Sequence, residues 1–209
     1  MSVKPLLLTV ALLGISTPLL ADFPIKPYRA TYNINYKGRD IGTSTTQFNL
    51  KNSHYTLDSV SKFHVFLFNH SVTEKSRGIT TANGLKPESY QLMQGHRVLY
   101  EAKPTDQEDN LSQQLAMRYN LITKDAPGSL SFTTKNGNKT IHYFIADKNY
   151  PLNTRLGKIP TTEIYYQDKD NTVVKQWLDK NKDYLPLVTR IYKDNKLIST
   201  IQLTHYQMD

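Results

Sequence analysis

The chain has 209 residues, no cysteine, and 26 Lys and Arg residues against 18 Asp and Glu residues. The lack of cysteine excludes disulfide bonds, thiolate metal sites, a cysteine nucleophile and a lipid-modified cysteine. The basic residues are scattered through predicted turns, which favours a role in solubility over binding to anionic lipid head groups or cell-wall polymers.

The first 21 residues have the pattern of a secretory signal peptide. Lys4 supplies a positive charge, residues 6–20 form an apolar run, and Ala21 is the small residue after which we expect cleavage. The run is shorter than the ~20 apolar residues of a spanning helix, so we favour cleavage over an N-terminal membrane anchor. The sequence therefore predicts a periplasmic protein with a single domain over residues 22–209, no integral membrane segment after signal removal and no nucleic-acid partner.

Alternation of apolar and polar residues predicts that most of residues 22–209 are β-strand. Strands are expected at 28–36, 41–50 and 54–62, joined by short polar turns that make neighbouring strands antiparallel. Two further hairpins are predicted at 88–103 and 129–146, the second around an Asn-Gly turn.

The C-terminal part predicts a three-stranded antiparallel meander. Its strands at 173–178, 185–193 and 197–206 are separated by the turns DKNKD and KDNK. Residues 161–167 precede the meander as another strand, and residues 147–155 are predicted to be a loop.

One helix is predicted over residues 110–124. Asn110 is the expected N-cap, with Gln113 completing a capping box, and one face carries Leu111, Leu115, Arg118 or Tyr119, and Ile122. That face has only the sheet to pack against. The pattern leaves open whether the helix lies inside or outside a curved sheet.

Two aromatic features have two interpretations each. Residues 63–68 are apolar on both faces, which indicates a central strand under the helix or the rim of an apolar cavity. Trp177 is either a core residue, which we favour, or part of a cavity wall.

No catalytic or metal-binding pattern is present in the sequence. The six His residues form no metal-ligand pair, and His64 and His70 would lie about 20 Å apart on one strand. There is no G-x-S-x-G motif, and the acidic residues at 106, 108 and 109 fit a helix N-terminus better than a glycosidase pair. We therefore predict no catalytic residue, no metal and no cofactor, with an uncharacterised hydrolase as a minor alternative.

Five segments, in this order and spacing, are similar to one known family. They are YRATYNINYKGRDIG, GLKPESYQ, DNLS with Arg118 following, NTRLGKIPTTEIYY and QWLDKNKDYLPLVTRIYKDNKLISTIQL. The chain thereby resembles the bacterial periplasmic domain of unknown function 3108 family. The resemblance implies a mainly β fold, in which a single strongly curved antiparallel sheet, an incomplete barrel or β-spiral, wraps around one principal α-helix as in the lipoprotein carriers LolA and LolB. Such folds hold acyl chains or partner segments in an apolar concavity, and the resemblance carries over no catalytic residue.

These features together predict a non-enzymatic protein that binds a lipid, a lipoprotein or another apolar ligand in the concavity of the sheet. The alternative is an envelope-integrity protein that engages a periplasmic protein or the cell wall without a small-molecule ligand. The predicted cavity-lining residues are Tyr32, Ile34, Phe66, Phe68, Leu111, Leu115, Trp177 and Leu203.

Overall fold

The computed structural model describes residues 23–65, 68–104, 107–154, 157–168 and 170–208. Within these ranges the chain forms thirteen strands and one α-helix. The strands are β1 (Tyr28–Tyr36), β2 (Arg39–Lys51), β3 (His54–Val65), β4 (Phe68–Thr81), β5 (Gly84–Gln94), β6 (Arg97–Ala102), β7 (Glu108–Asp109), β8 (Gly128–Thr134), β9 (Gly137–Thr154), β10 (Gly157–Gln167), β11 (Thr172–Asp179), β12 (Leu185–Lys193) and β13 (Lys196–Met208). The helix α1 spans Gln113–Lys124, and a short 3-10 turn spans Lys180–Lys182.

All thirteen strands belong to one curved sheet that does not close into a barrel. Their order is β6-β5-β4-β3-β2-β1-β13-β12-β11-β10-β9-β8-β7. Chain neighbours pair antiparallel, the first and last long strands β1 and β13 meet at its centre, and only the two-residue strand β7 is parallel to its neighbour. The predicted fold class, a strongly curved antiparallel sheet with one principal helix, is confirmed.

Bulges and closely approaching glycines bend the sheet. Register shifts occur in several strand pairs, among them β1 with β2 at Ile34 and β4 with β5 at Arg77. A Cβ atom at Gly42 would lie 2.0 Å from the Lys62 carbonyl oxygen, and one at Gly78 would lie 2.2 Å from a backbone oxygen of β5. Bulges increase local twist and bending, and glycine permits a backbone approach that any side chain would prevent.

Helix α1 lies inside the curve of the sheet. Its Ala116, Met117 and Leu121 belong to a core cluster with residues of β8, β9, β10 and β11. Its Leu115 belongs to a second cluster with Tyr28 and other residues of β1, β2 and β3. Because one helix contacts both halves of the sheet, the concave side encloses it, which answers the question that the sequence left open.

Three details of the predicted elements are wrong. Residues 147–154 are the end of the long strand β9 and not a loop. Residues 63–68 are not one central strand, because β3 ends at Val65, β4 begins at Phe68, and these two residues pair antiparallel. The predicted helix start is the third.

The helix begins later than predicted, at Gln113, with Ser112 at the N-cap position and no side-chain capping hydrogen bond. Asp109 Oδ1 accepts hydrogen bonds from the backbone N–H groups of Leu111 and Ser112, both at 2.8 Å. Ser112 Oγ in turn accepts from the Asp109 N–H at 2.9 Å. These bonds hold the turn that leads into the helix, whereas the predicted cap Asn110 donates its side-chain amide to Glu74 Oε2 at 2.8 Å.

The same aspartate joins the edge strand β7 to strands β3 and β4 in the other half of the sheet. Its Oδ2 atom accepts from Ser76 Oγ of β4 at 2.5 Å, and Ser76 Oγ lies 3.0 Å from the Tyr55 hydroxyl of β3. Since Ser76 uses its proton on the carboxylate, Tyr55 is the donor in that second bond. Asp109, Ser76 and Ser112 are fully buried. Side-chain hydrogen bonds therefore bridge the gap that no backbone ladder closes.

We predict that Asp109→Ala lowers the free energy of unfolding by roughly 3 kcal/mol or more, because it leaves the buried donors of Ser76, Leu111 and Ser112 without an acceptor. Urea unfolding followed by circular dichroism measures this change. Asp40→Ala is the matched control, because Asp40 is an exposed carboxylate that accepts from Asn33 and Asn35. We expect the control to change stability by about 0.5 kcal/mol or less, and an equal effect of the two substitutions would contradict the bridging role.

We predict that Glu108 makes the protein less stable as the pH rises from about 4.5 to about 7. Burial raises the pKa of Glu108 from 4.5 to about 7, opposed by a hydrogen bond from Ser112 and supported by the charge of Asp109. The folded state then holds a proton that the unfolded state has released, so its stability falls as the pH rises through this window.

Glu108→Gln removes this dependence. The stability of the variant relative to the wild-type protein is expected to rise by roughly 1–3 kcal/mol between about pH 4.5 and about pH 8. Urea titrations at both pH values measure the difference. A constant difference at the two pH values would show that Glu108 keeps its ordinary pKa.

Candidate functional site

The concave side of the sheet contains a cavity of about 440 Å³ between helix α1 and seven strands. This volume lies within the usual range for small-molecule sites. The lining residues come from α1, from β1, β2 and β3, and from β10, β11 and β12 with Ile201 of β13; Tyr28, Tyr32, Ile34, Leu57, Phe63, Leu111, Leu115, Val174, Ile191 and Ile201 form most of its apolar surface. Both halves of the sheet and the first part of the helix therefore line the cavity.

Strand β1 lines the cavity along most of the strand's length. Tyr28 and Ile34 both line it and lie six positions apart, which corresponds to about 20 Å of extended strand. Strand pairing places Ile34 in one row with Ile201 and, through Gly42, with Phe63. The end of the cavity near Ile34 is therefore apolar on three neighbouring strands.

Small hydroxyl side chains line the middle of the same wall. Ser61 Oγ donates to Ser44 Oγ at 2.9 Å, and Ser44 Oγ lies 3.4 Å from Ser59 Oγ. Thr46 Oγ1 also bonds to Ser59 Oγ at 3.4 Å. The hydroxyl groups hydrogen-bond to one another across β2 and β3. An apolar ligand that covers them therefore leaves few polar groups without a hydrogen-bond partner. Their small size leaves open volume that larger side chains would fill.

Arg118 is the only charged residue among the described residues that line the cavity. It is 2% exposed. Its Nε atom donates to the Asp183 carbonyl oxygen at 2.7 Å, and Nη2 donates to the Lys182 carbonyl oxygen at 3.3 Å. The guanidinium carbon lies 4.7 Å from the centre of the Tyr28 ring. Arg118 thereby connects the helix to the turn after β11 and to the first strand.

The guanidinium group also acts on the tyrosines beside it. Burial raises the pKa of Tyr28, and the positive charge of Arg118 opposes that rise. Burial likewise raises the pKa of Tyr32, with Tyr28 adding to the rise and Arg118 again opposing it. Both phenol groups are therefore neutral in the physiological pH range, and they leave the charge of Arg118 uncompensated.

The structure places the eight predicted lining residues in three groups. Tyr32, Ile34, Leu111 and Leu115 line the cavity. Trp177 and Leu203 do not; Trp177 packs with Leu152, Leu187 and Val188, and Leu203 contacts that cluster from a partly buried position. Phe66 lies outside the described residues, and of Phe68 the structure describes only its backbone at the start of β4. The ligand-binding role of these residues stays a prediction.

The position of Trp177 follows from strand alternation. Its neighbours Val174 and Gln176 line the cavity, so Trp177 points to the other face of β11. There it is 4% exposed, its ring centre lies 5.8 Å from that of Tyr150, and Arg190 lies over it at 5.1 Å. The structure confirms the favoured interpretation of Trp177 as a packed core residue.

Sequence reasoning missed Arg118, Gln176 and Thr189 as lining residues. The sequence carried a signal for Arg118, because it lies three residues after Leu115 and four before Ile122 on the apolar face of the helix. A charged residue on such a face needs partners inside the protein. Gln176 and Thr189 carried no such signal, since their hydrogen bond of 3.2 Å depends on the pairing of β11 with β12.

Other kinds of site find no support in the part of the chain that the structure describes. No three His, Asp or Glu side chains there come together as a metal ion would require. No described helix is both long enough and apolar enough to cross a membrane.

The fold is similar to that of a solved bacterial protein. The beta-barrel-like protein of domain of unknown function DUF1849 from Brucella abortus matches with a TM-score of 0.56 and 8% identity, covering 88% of this chain and 98% of that chain. The similarity shows a shared fold and nothing about activity.

Two further solved structures match more distantly. MucB matches with a TM-score of 0.38 and 9% identity over 88% of this chain and 53% of that chain. A protein with a YmcC-like fold from Bacteroides fragilis matches with a TM-score of 0.40 and 12% identity over 88% of this chain and 98% of that chain.

No family model and no curated protein matches the sequence. Membership in the domain of unknown function 3108 family therefore stays a prediction from the resemblance.

We predict that Tyr28→Leu lowers the free energy of unfolding by roughly 2–4 kcal/mol. The substitution removes a buried ring that contacts Phe48, Tyr206 and the Arg118 guanidinium. Urea unfolding measures the loss. Tyr36→Leu on the same strand is the control, because Tyr36 is 43% exposed, and its effect is expected to stay near 0.5 kcal/mol. Equal effects would mean that Tyr28 does not organise the wall.

Proposed function

We propose that this chain is an exported, non-enzymatic protein of the bacterial periplasm that holds a lipid or another apolar ligand inside its curved sheet. The observation that carries the proposal is the cavity of about 440 Å³ on the concave side of the sheet. Cavities of this size with apolar walls and a few polar groups are the usual form of small-molecule sites.

The composition of the chain supports export. Residues 1–21 have the charge, apolar run and small residue of a signal peptide, although they lie outside the described residues. The remainder carries no cysteine, which suits an oxidising compartment.

The chemistry of the cavity supports binding without catalysis. Among its described lining residues there is no histidine and no carboxylate, so no general base is available there. The lining hydroxyl groups of Ser44 and Ser61 bond to each other, and neither contacts a group that could activate it as a nucleophile.

The alternative function is an envelope-integrity protein that engages a periplasmic protein or the cell wall. The feature that favours it is the edge strand β6, where Val98 is 44% and Leu99 is 43% exposed. An exposed strand edge can pair with a strand of another protein.

The test of the ligand-binding function is a pair of substitutions on strand β3. Ser61→Trp places a large side chain in the cavity, whereas Lys62→Trp places the same side chain on the opposite, exposed face of the strand. Binding is measured as the fluorescence gain of the neutral probe N-phenyl-naphthylamine. We expect the wild-type protein and Lys62→Trp to bind the probe equally, and Ser61→Trp to bind it at least about tenfold more weakly.

Thermal unfolding of both variants shows that they remain folded. Equal binding by Ser61→Trp and the wild-type protein would place the probe elsewhere on the molecule. Absence of binding by the folded wild-type protein would remove the basis of the proposal and favour the alternative at the β6 edge.

A further inference from the structure

The charge of Arg118 has no counterion among the described residues. Its two hydrogen bonds go to neutral carbonyl oxygens, at Lys182 and Asp183. The described ion pairs do not include it. Its third group, Nη1, is buried and makes no hydrogen bond. A buried cation is strongly unfavourable unless an anion or several polar groups compensate it.

A structural role accounts for only part of this side chain. The Nε and Nη2 atoms fasten the helix to the Lys182–Asp183 turn, and the guanidinium plane packs on the Tyr28 ring. A neutral side chain with two donors could make the two hydrogen bonds without the cost of a buried charge. The cation–π contact with Tyr28 offsets only part of that cost, and the Nη1 group has no partner, although Arg118 lines the cavity.

We propose that Arg118 receives the anionic head group of an amphiphile, whose apolar tail extends along β1 and β3 toward Ile34 and Phe63. This inference rests on the proposed ligand-binding function and adds the ligand class and its orientation to it. A carboxylate or phosphate group near Arg118 would supply the missing negative charge and an acceptor for Nη1.

The cavity geometry fits a ligand of this kind. Tyr28, which contacts the guanidinium, and Ile34 mark two ends of a wall about 20 Å long. The wall between them carries Leu57 near the Arg118 end and Phe63 and Ile201 near the far end. A straight alkyl chain with a charged head therefore fits this wall, with its head at Arg118 and its tail along the residues toward Ile34.

A second polar group lines the cavity from the opposite half of the sheet. Gln176 donates from Nε2 to Thr189 Oγ1 at 3.2 Å and to Gln114 Oε1 at 3.4 Å. Gln114 lies one turn before Arg118 on the helix, so both face the same side. The Gln176 Oε1 atom is buried without a partner and can accept from a hydroxyl or a protonated oxygen of the head group.

The test compares three ligands that share one tail, namely dodecanoate, dodecyl phosphate and dodecanol, as competitors of N-phenyl-naphthylamine on the wild-type protein. We expect at least one anionic ligand to bind about tenfold or more tightly than dodecanol. The stronger of the two anions identifies a carboxylate or a phosphate as the preferred head group. This comparison needs no substitution, so it does not depend on the folding of a variant.

Arg118→Gln then assigns the preference to one side chain. We expect it to bring the affinity for the anionic ligand down to the affinity of the same variant for dodecanol. Arg118→Lys, which keeps the charge, is expected to retain part of the preference. Lys124→Gln is the matched control, because Lys124 is an exposed cation on the same helix, and it should leave all three affinities unchanged.

The possible outcomes separate this inference from the proposed function. Equal binding of the three ligands by the wild-type protein would overturn the head-group assignment and leave the apolar site standing. A preference for anions that survives in folded Arg118→Gln would place the head group elsewhere. Failure of all three ligands to displace the probe, or of the probe to bind, would remove the proposed function itself.

Discussion

The buried Asp109 carboxylate is the interaction on which the architecture depends. A thirteen-stranded open sheet has two edges, and its curvature brings the edge strand β7 near β4 and β5 of the other half. Asp109 accepts from Ser76 on one side and from the N–H groups of the turn before the helix on the other. One side chain thus links the edge strand β7, the turn that leads into α1 and strand β4. Burial raises the pKa of Asp109, and these hydrogen bonds oppose the rise. The shape of the concave side depends on these three elements staying together.

The cavity lies beside the first half of the helix, between the parts of the sheet on which the helix packs. Twelve residues of α1 correspond to about 18 Å of helix, and its apolar residues divide between two core clusters, one on each half of the sheet. Between those clusters the wall is made of β1–β3 and β11–β13, where serine and threonine residues replace bulky ones. Native cores are normally packed to a high density. A space of this size beside two packed clusters therefore reflects the small side chains that line it.

Arg118 connects the structural and the functional parts of the molecule. It fastens the helix to the turn after β11 and to Tyr28, and it brings an uncompensated charge to the cavity wall. The cost of burying that charge is met only in part by two carbonyl oxygens. The ligand anion that we propose would supply the remaining compensation.

The sequence by itself determined the β architecture, the single long helix and the strand boundaries of the C-terminal meander, because alternation, turn residues and helical spacing are local properties. It also contained four of the predicted lining residues, since Tyr32, Ile34, Leu111 and Leu115 lie on apolar faces. Only the tertiary structure decided that the helix lies inside the curve, that it begins at Gln113 after the Asp109 turn, and which strand faces line the cavity. Those outcomes depend on pairings such as Ser76 with Asp109, 33 positions apart. Contacts between distant parts of the chain leave no pattern in neighbouring residues, so the sequence alone does not predict them.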